Sequence, residues 1–192
     1  MKRGMVIPIK PDKLNSGKTI LYPSDSIWGV GCDATNQEAV EKIFQLKDRD
    51  NSKSLIVLVA DDAMLNKFLK DVPPVAWDLI DASDQPLTII YPEGRNLAKG
   101  VIAADGTVAI RMVKDQFCNQ LIRRFRKPIV STSANFSNAP TPLSYTDISA
   151  EFKAKVNYEV DLPQQKDQTG KQLPPALRIP KECDRLDKAT EK

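Results

Sequence analysis

The chain of 192 residues contains no histidine. That absence removes Ser-His-Asp and Cys-His nucleophilic machinery, together with most zinc sites. Cysteine is scarce as well. Cys32, Cys118 and Cys183 are odd in number, widely spaced and free of any CxxC pair, which argues against a disulfide framework and points to a reducing compartment. Aromatics make up 6% of the chain and do not interleave with a basic stripe, so no RNA-binding motif emerges. No apolar run approaches the roughly 18 residues of a membrane span, and the N-terminus lacks a signal-peptide core. The expectation is a cytoplasmic protein with no membrane partner. There is no GxxxxGK[ST] P-loop, and the single GxG pair lacks the third glycine of a dinucleotide fingerprint. An enzyme of this composition works by positioning and fixed charge rather than through an imidazole base, as phosphoryl and nucleotidyl transfer do.

What is present suits a soluble globular chain: 41% hydrophobic and 28% charged residues with a formal net charge of +3. So small a net charge does not by itself imply a nucleic-acid partner, although a locally basic cleft depends on distribution rather than on the sum.

Strand and helix patterns alternate. Residues 19–22 read as a strand stopped by Pro23. A polar turn with two glycines, 24–31, follows. Thr35 and Glu38 fit a capping box for an amphipathic helix over about 36–47, with Val40, Ile43 and Phe44 at helical spacing. The continuous apolar run 55–60 is a strand buried on both faces. Short helices are expected near 62–70 and 75–80, and a strand over 86–91. In 107–112, Val108, Ile110 and Met112 share one face, while Thr107, Ala109 and Arg111 share the other. A helix over about 115–126 leads to a strand at 128–131, then a hydroxyl-rich turn. A helix at roughly 145–153 and a strand at 156–160 close the domain, which is expected to span 1–162. Residues 163–192 read as a loosely held polar tail. The alternation is that of an α/β sheet domain.

Several residues stand out. Ser131, Thr132, Ser133 and Asn135 follow the apolar pair Ile129-Val130, itself preceded by Arg123, Arg124, Arg126 and Lys127. Such a hydroxyl turn is a plain turn or helix cap, or else an anion cradle. Lys47 and Arg49 compensate the dipole of a helix end or serve a ligand. Lys53 reads as a solvated loop lysine. Arg111, in an otherwise apolar strand, pairs with a carboxylate of the protein or lines a cleft, where its planar fork suits carboxylate or phosphate. Ser24, Asp25 and Ser26 form an ordinary turn unless the adjacent Gly29 and Gly31 serve close backbone approach to a ligand.

Taken in order, these segments resemble the YrdC-like domain family. Tyr22-Pro-Ser-Asp-Ser-Ile-Trp-Gly-Val-Gly31 is similar to that family's Pro-Thr-x-Thr-x-Tyr-Gly-Leu-Gly stretch. Lys47-Asp-Arg49 matches Lys-x-Arg, Ser52-Lys53-Ser54-Leu55 resembles Lys-Pro-Leu, 107–111 resembles a strand ending in Arg, and Ser133-Ala-Asn135 matches Ser-x-Asn. The resemblance covers about residues 15–162. It implies a single α/β domain with a twisted, mixed open sheet flanked by helices and a large concave basic cavity. It also implies threonylcarbamoyl-AMP synthase activity: L-threonine, bicarbonate and ATP, with Mg²⁺, give threonylcarbamoyl-AMP and pyrophosphate for the t6A37 modification of tRNA. Candidate partners are tRNA and other proteins of that pathway.

By the same resemblance, Lys47, Arg49, Ser133 and Asn135 hold the ATP phosphates and carry catalysis, with Thr107 and Thr141 as further ATP contacts. Ser24, Ser26, Ser131 and Arg111 line the threonine pocket, with Lys53 at its rim. No resident metal ligands are implied. The chain departs from the family pattern in three places. Ser24 and Ser26 replace threonines, Trp28 replaces a tyrosine on the expected pocket wall, and the 174–177 segment lacks hydroxyls that could hold the nucleotide. Two other readings are open: a YciO-like paralogue without this activity, and an RNA-binding module using the same basic cavity.

Overall fold

The computed structural model describes residues 11–24, 26–47, 55–162 and 175–180. An eight-stranded mixed sheet organises them. Its strands in chain order are β1 (Ile20–Pro23), β2 (Trp28–Asp33), β3 (Ile56–Val59), β4 (Thr88–Tyr91), β5 (Val108–Met112), β6 (Ile129–Ser133), β7 (Tyr158–Glu159) and β8 (Leu177–Arg178). Their order across the sheet is β7-β1-β2-β6-β3-β5-β4-β8. β3 runs parallel to β5, β7 to β1 and β8 to β4, while the remaining pairs are antiparallel.

The two faces of the sheet are covered differently. On one face Val30, Cys32, Val57, Val59, Val108, Ile110 and Val130 form a continuous core. Over it pack α2 (Gln37–Lys47) through Val40, Ile43 and Phe44, α3 (Asp62–Phe68) through Leu65, α4 (Pro74–Ala82) through Ala76, and α6 (Ala150–Lys155) through Phe152. On the other face α1 (Pro11–Asn15) and α5 (Gln116–Phe125) bury Ile20, Leu58 and Ile129 beneath Leu14, Phe117, Leu121 and Phe125. That cover reaches only part of the face. Ile56 and Ile90 are half-buried, although β3 lies at the centre of the sheet. The less covered part of that face lies at the end where β1, β4 and β6 finish and β2, β3 and β5 begin.

The expected alternation on β5 holds, with Val108 and Ile110 in the main core and Arg111 on the opposite face. Several sequence expectations are corrected. The glycine-bearing stretch taken as a turn is mostly strand β2, and only Ser24–Ile27 turns, closed by Ser24 N–H donating to the Ile27 carbonyl. The residue capping α2 is Asn36, whose Oδ1 accepts from Ala39 N–H at 3.1 Å. Thr35 instead donates to Asp33 Oδ1 through both its backbone N–H and its hydroxyl. The expected helix at 145–153 divides into a 3₁₀ turn, Tyr145–Asp147, and α6, because Ile148 and Ser149 are extended and Ser149 caps the second helix. The supposed hydroxyl turn at 131–133 is the end of β6.

The expected polar tail returns to the sheet as β8. Arg178 pairs with Asp105 at 2.6 Å. Asp105 also accepts from the Thr107 hydroxyl and N–H, and these bonds, then the arginine, lower its carboxyl to about 2. A depressed acid stabilises the folded state above its unfolded pKa of about 4, and that contribution disappears as pH falls through the folded value. An NMR titration should therefore give an Asp105 midpoint near 2, with the β4–β8 amides losing protection from exchange over the same range. A midpoint near the ordinary value of about 4 would show that the clasp does not form.

Candidate active site

The fold brings most of the described candidate residues to one end of the sheet. Ser24 and Ser26 sit in the β1–β2 hairpin, and their hydroxyls lie 3.0 Å apart. Ser24 Oγ also donates to the Ile27 carbonyl at 2.7 Å. Ser131 and Ser133 point off β6 onto this less covered face, because Ser131 pairs with Gly31 and Ile56 and Ser133 with Gly29. Asn135 and Thr141 follow in the loop leaving β6, and Thr107 precedes β5. Arg111 lies on the same face, two residues further along β5 than Ala109, the partner of Ile56. It is 7% exposed, and its Nε donates to Thr88 Oγ1 at 3.0 Å. The anchoring hydroxyl of Thr88 had no signal in the sequence, since it depends on β4 pairing with β5 in one register. Arg49 and Lys53 lie outside the described residues.

Lys47 occupies the last position of α2. It is 3% exposed. Its ammonium donates to the Ser133 carbonyl at 2.8 Å, to Asn135 Oδ1 at 2.9 Å and to the Asn135 carbonyl, with Ser133 Oγ at 3.4 Å. Ser133 donates to Asn135 Oδ1 at 2.6 Å, and Asn135 Nδ2 donates to the Ala139 carbonyl. In return, Ser137 Oγ donates to the Lys47 carbonyl at 2.6 Å and so caps the helix end. The Ser-x-Asn segment is thus folded around a buried cation. Lys47 therefore has a role in the loop itself. It organises the loop directly, and it places a positive charge beneath the hydroxyl of Ser133.

The basic cluster 123–127 lies at the other end of β6, about 13 Å of strand away at roughly 3.3 Å per residue. There Lys127 pairs with buried Asp33 at 2.7 Å and Arg123 with Asp61 at 3.1 Å. These cations serve the scaffold. Trp28 faces the main core and packs on Tyr145 with ring centroids 5.0 Å apart. It therefore lies on the face opposite Ser131 and Ser133, and the expectation that it would alter the pocket wall is corrected.

The two glycines of β2 share the face of Ser131 and Ser133, where Tyr22 lies across them. A β-carbon on Gly31 would come 2.2 Å from the Val130 carbonyl and 3.1 Å from the Tyr22 ring. Gly31→Ala is expected to destabilise the fold by about 1–3 kcal/mol, because both obstacles are rigid. Thermal melting checks this, and an unchanged Tm would mean that the β2–β6 pair spreads freely.

The structure thus defines an open-sheet α/β protein in which serine hydroxyls and a buried arginine share one sheet face and a buried lysine enters the loop after β6. A family model described as "Telomere recombination", covering Sua5, YciO and YrdC, matches residues 12–171, and the chain belongs to that family. A protein of Pseudoalteromonas translucida named threonylcarbamoyl-AMP synthase is 33% identical over 153 residues, covering 78% of this chain and 82% of that one. A structure of Pyrococcus abyssi Sua5 complexed with L-threonine superposes with a TM-score of 0.76 at 25% identity. It covers 88% of this chain, which spans about half, 49%, of the archaeal one. Escherichia coli YciO superposes with a TM-score of 0.75 at 18% identity over 90% of this chain and 82% of that one, a likeness of fold.

Proposed function

We propose that this chain is a threonylcarbamoyl-AMP synthase acting in the t6A37 modification of tRNA. The observation that carries the reading is the placement of Ser131, Ser133 and Arg111 on one partly covered sheet face beside the Lys47-centred loop, in a chain 33% identical to a relative of that name. The reaction joins the threonine amine to bicarbonate with loss of water. A carbamate oxygen then attacks the α-phosphorus of ATP, a P–O bond forms, the α–β phosphoanhydride breaks and pyrophosphate leaves.

The nucleophile is already an anion, so a chain without histidine meets the chemistry. What the protein must supply is orientation and neutralised charge. In this reading Arg111, held by Thr88, receives the threonine carboxylate, and the hydroxyls of Ser24, Ser26 and Ser131 line the amino-acid pocket with Lys53 at its rim. Ser133 and Asn135, over the Lys47 charge, face the phosphates with Arg49, and Thr107 and Thr141 contact the nucleotide. An arriving phosphate would compete with Asn135 Oδ1 for the Ser133 proton. Mg²⁺ would enter with the triphosphate and neutralise part of its charge. Among the described residues no helix is long and apolar enough to cross a membrane, and a cytoplasmic site of action fits the three scattered cysteines.

The test is pyrophosphate release from ATP and Mg²⁺ with threonine or bicarbonate omitted in turn. Release that needs both supports the synthase. ATP binding without release under any condition would replace it with a paralogue that kept the fold and lost the reaction.

A further inference from the structure

Tyr22 belongs to none of the roles assigned above, yet its hydroxyl reaches Ser131. Its ring is fully buried. It stacks on Phe117 with centroids 6.4 Å apart and 28° between the planes. On its β2 side it lies against Gly31, where a β-carbon would come 3.1 Å from the ring, and against Gly29, where one would stand at 3.6 Å. Held between Phe117 and β2, the phenol donates to Ser131 Oγ at 2.7 Å. Burial, with smaller contributions from Cys118 and Asp115, raises the phenol well above its ordinary pKa, against the opposing effects of the Ser131 bond and the Arg111 charge. It stays a protonated donor across the neutral range. A serine oxygen that accepts this bond retains its own hydrogen to give. Among the described residues Ser131 Oγ has no second partner. Ser131 is half-buried, on the face that carries Arg111.

We propose that Tyr22 is a positioning residue, which by donating to Ser131 Oγ fixes the serine hydroxyl as a donor aimed at the anionic end of the amino-acid substrate. The proposal rests on the placement of Ser131 in the threonine pocket.

The experiment is calorimetric titration of L-threonine into wild type, Tyr22→Phe, Ser131→Ala and the double variant, with thermal melting of each. Tyr22→Phe keeps the ring and its packing. It should weaken threonine binding about 3- to 10-fold, the range of one ordinary hydrogen bond, and in turnover it should raise KM for threonine while kcat holds. Ser131→Ala should weaken binding at least as much. The double variant should bind no more weakly than Ser131→Ala, because Tyr22 acts only through that oxygen. Wild-type affinity in Tyr22→Phe, or losses that multiply in the double variant, would overturn the proposal. A second readout needs no change at position 22. The ¹³Cζ resonance of Tyr22 should move on threonine titration in wild type and stand still in Ser131→Ala; a shift absent from wild type, or kept in Ser131→Ala, also overturns it. Threonine that binds without pyrophosphate release sinks the synthase reading and leaves this one standing, whereas threonine that does not bind sinks both.

Discussion

Lys47→Met is expected to melt below wild type and to release no pyrophosphate. The substitution keeps the apolar stem and removes only the ammonium, which is the donor to the carbonyls of Ser133 and Asn135 and to Asn135 Oδ1. The Ser133 carbonyl keeps the Asn135 N–H and Asn135 Oδ1 keeps the Ser133 hydroxyl, so the Asn135 carbonyl sets the loss, at about 1–3 kcal/mol for an acceptor left without this partner. For a chain of this size that is a Tm lower by roughly 2–12 °C. Activity should fall further than stability, because the loop carrying Ser133 and Asn135 loses the atom around which it is folded. Lys47→Arg should not restore either quantity, since a planar fork does not fit a site built for a compact ammonium. Calorimetric melting and the pyrophosphate assay check both parts. A Met variant with wild-type Tm and no activity would show that the ammonium serves the ligand and not the loop.

Arg111→Gln is expected to raise KM for threonine about 100-fold or more while the melting temperature changes little by comparison. A buried guanidinium that receives a carboxylate contributes about 2–5 kcal/mol through that contact, and Thr88 can still pair with the shorter amide. Arg111→Lys should recover only a small part, because one ammonium replaces two parallel donors. Titration of KM against pyrophosphate release decides it. An unchanged KM with a collapsed Tm would return Arg111 to a purely structural role.

The comparison of pattern with structure is uneven for physical reasons. β3 and β5 were readable because each reports burial directly: 55–60 as an unbroken apolar run, 107–112 as an alternation. β2 was hidden, although Trp28, Val30 and Cys32 alternate correctly, because Gly29 and Gly31 read locally as turn residues. What a side chain there would meet lies on β6, the Val130 carbonyl beside Gly31 and Ser131 beside Gly29, and on β1 in the Tyr22 ring, which no local window contains. α1 buries only Leu14 and has no period to detect. The path of β8 back to β4 rests on pairing and on the Arg178–Asp105 contact, between residues 73 positions apart.

The sequence by itself determined the kind of chemistry open to this protein. Lacking histidine and a P-loop, it must work through fixed charge and hydroxyl groups, and the order of its motifs marked where these stand. Residue type and local periodicity suffice for that much. Only the tertiary structure decided which of those groups meet. Strand register sets Ser131, Ser133 and Arg111 on one face and sends Trp28 to the other. Helix α2 ends where its lysine can enter the loop after β6, and the basic cluster at 123–127 is drawn to the far end of the sheet by Asp33 and Asp61. These are contacts between segments far apart in the chain, fixed by pairing and packing, and no single segment encodes them.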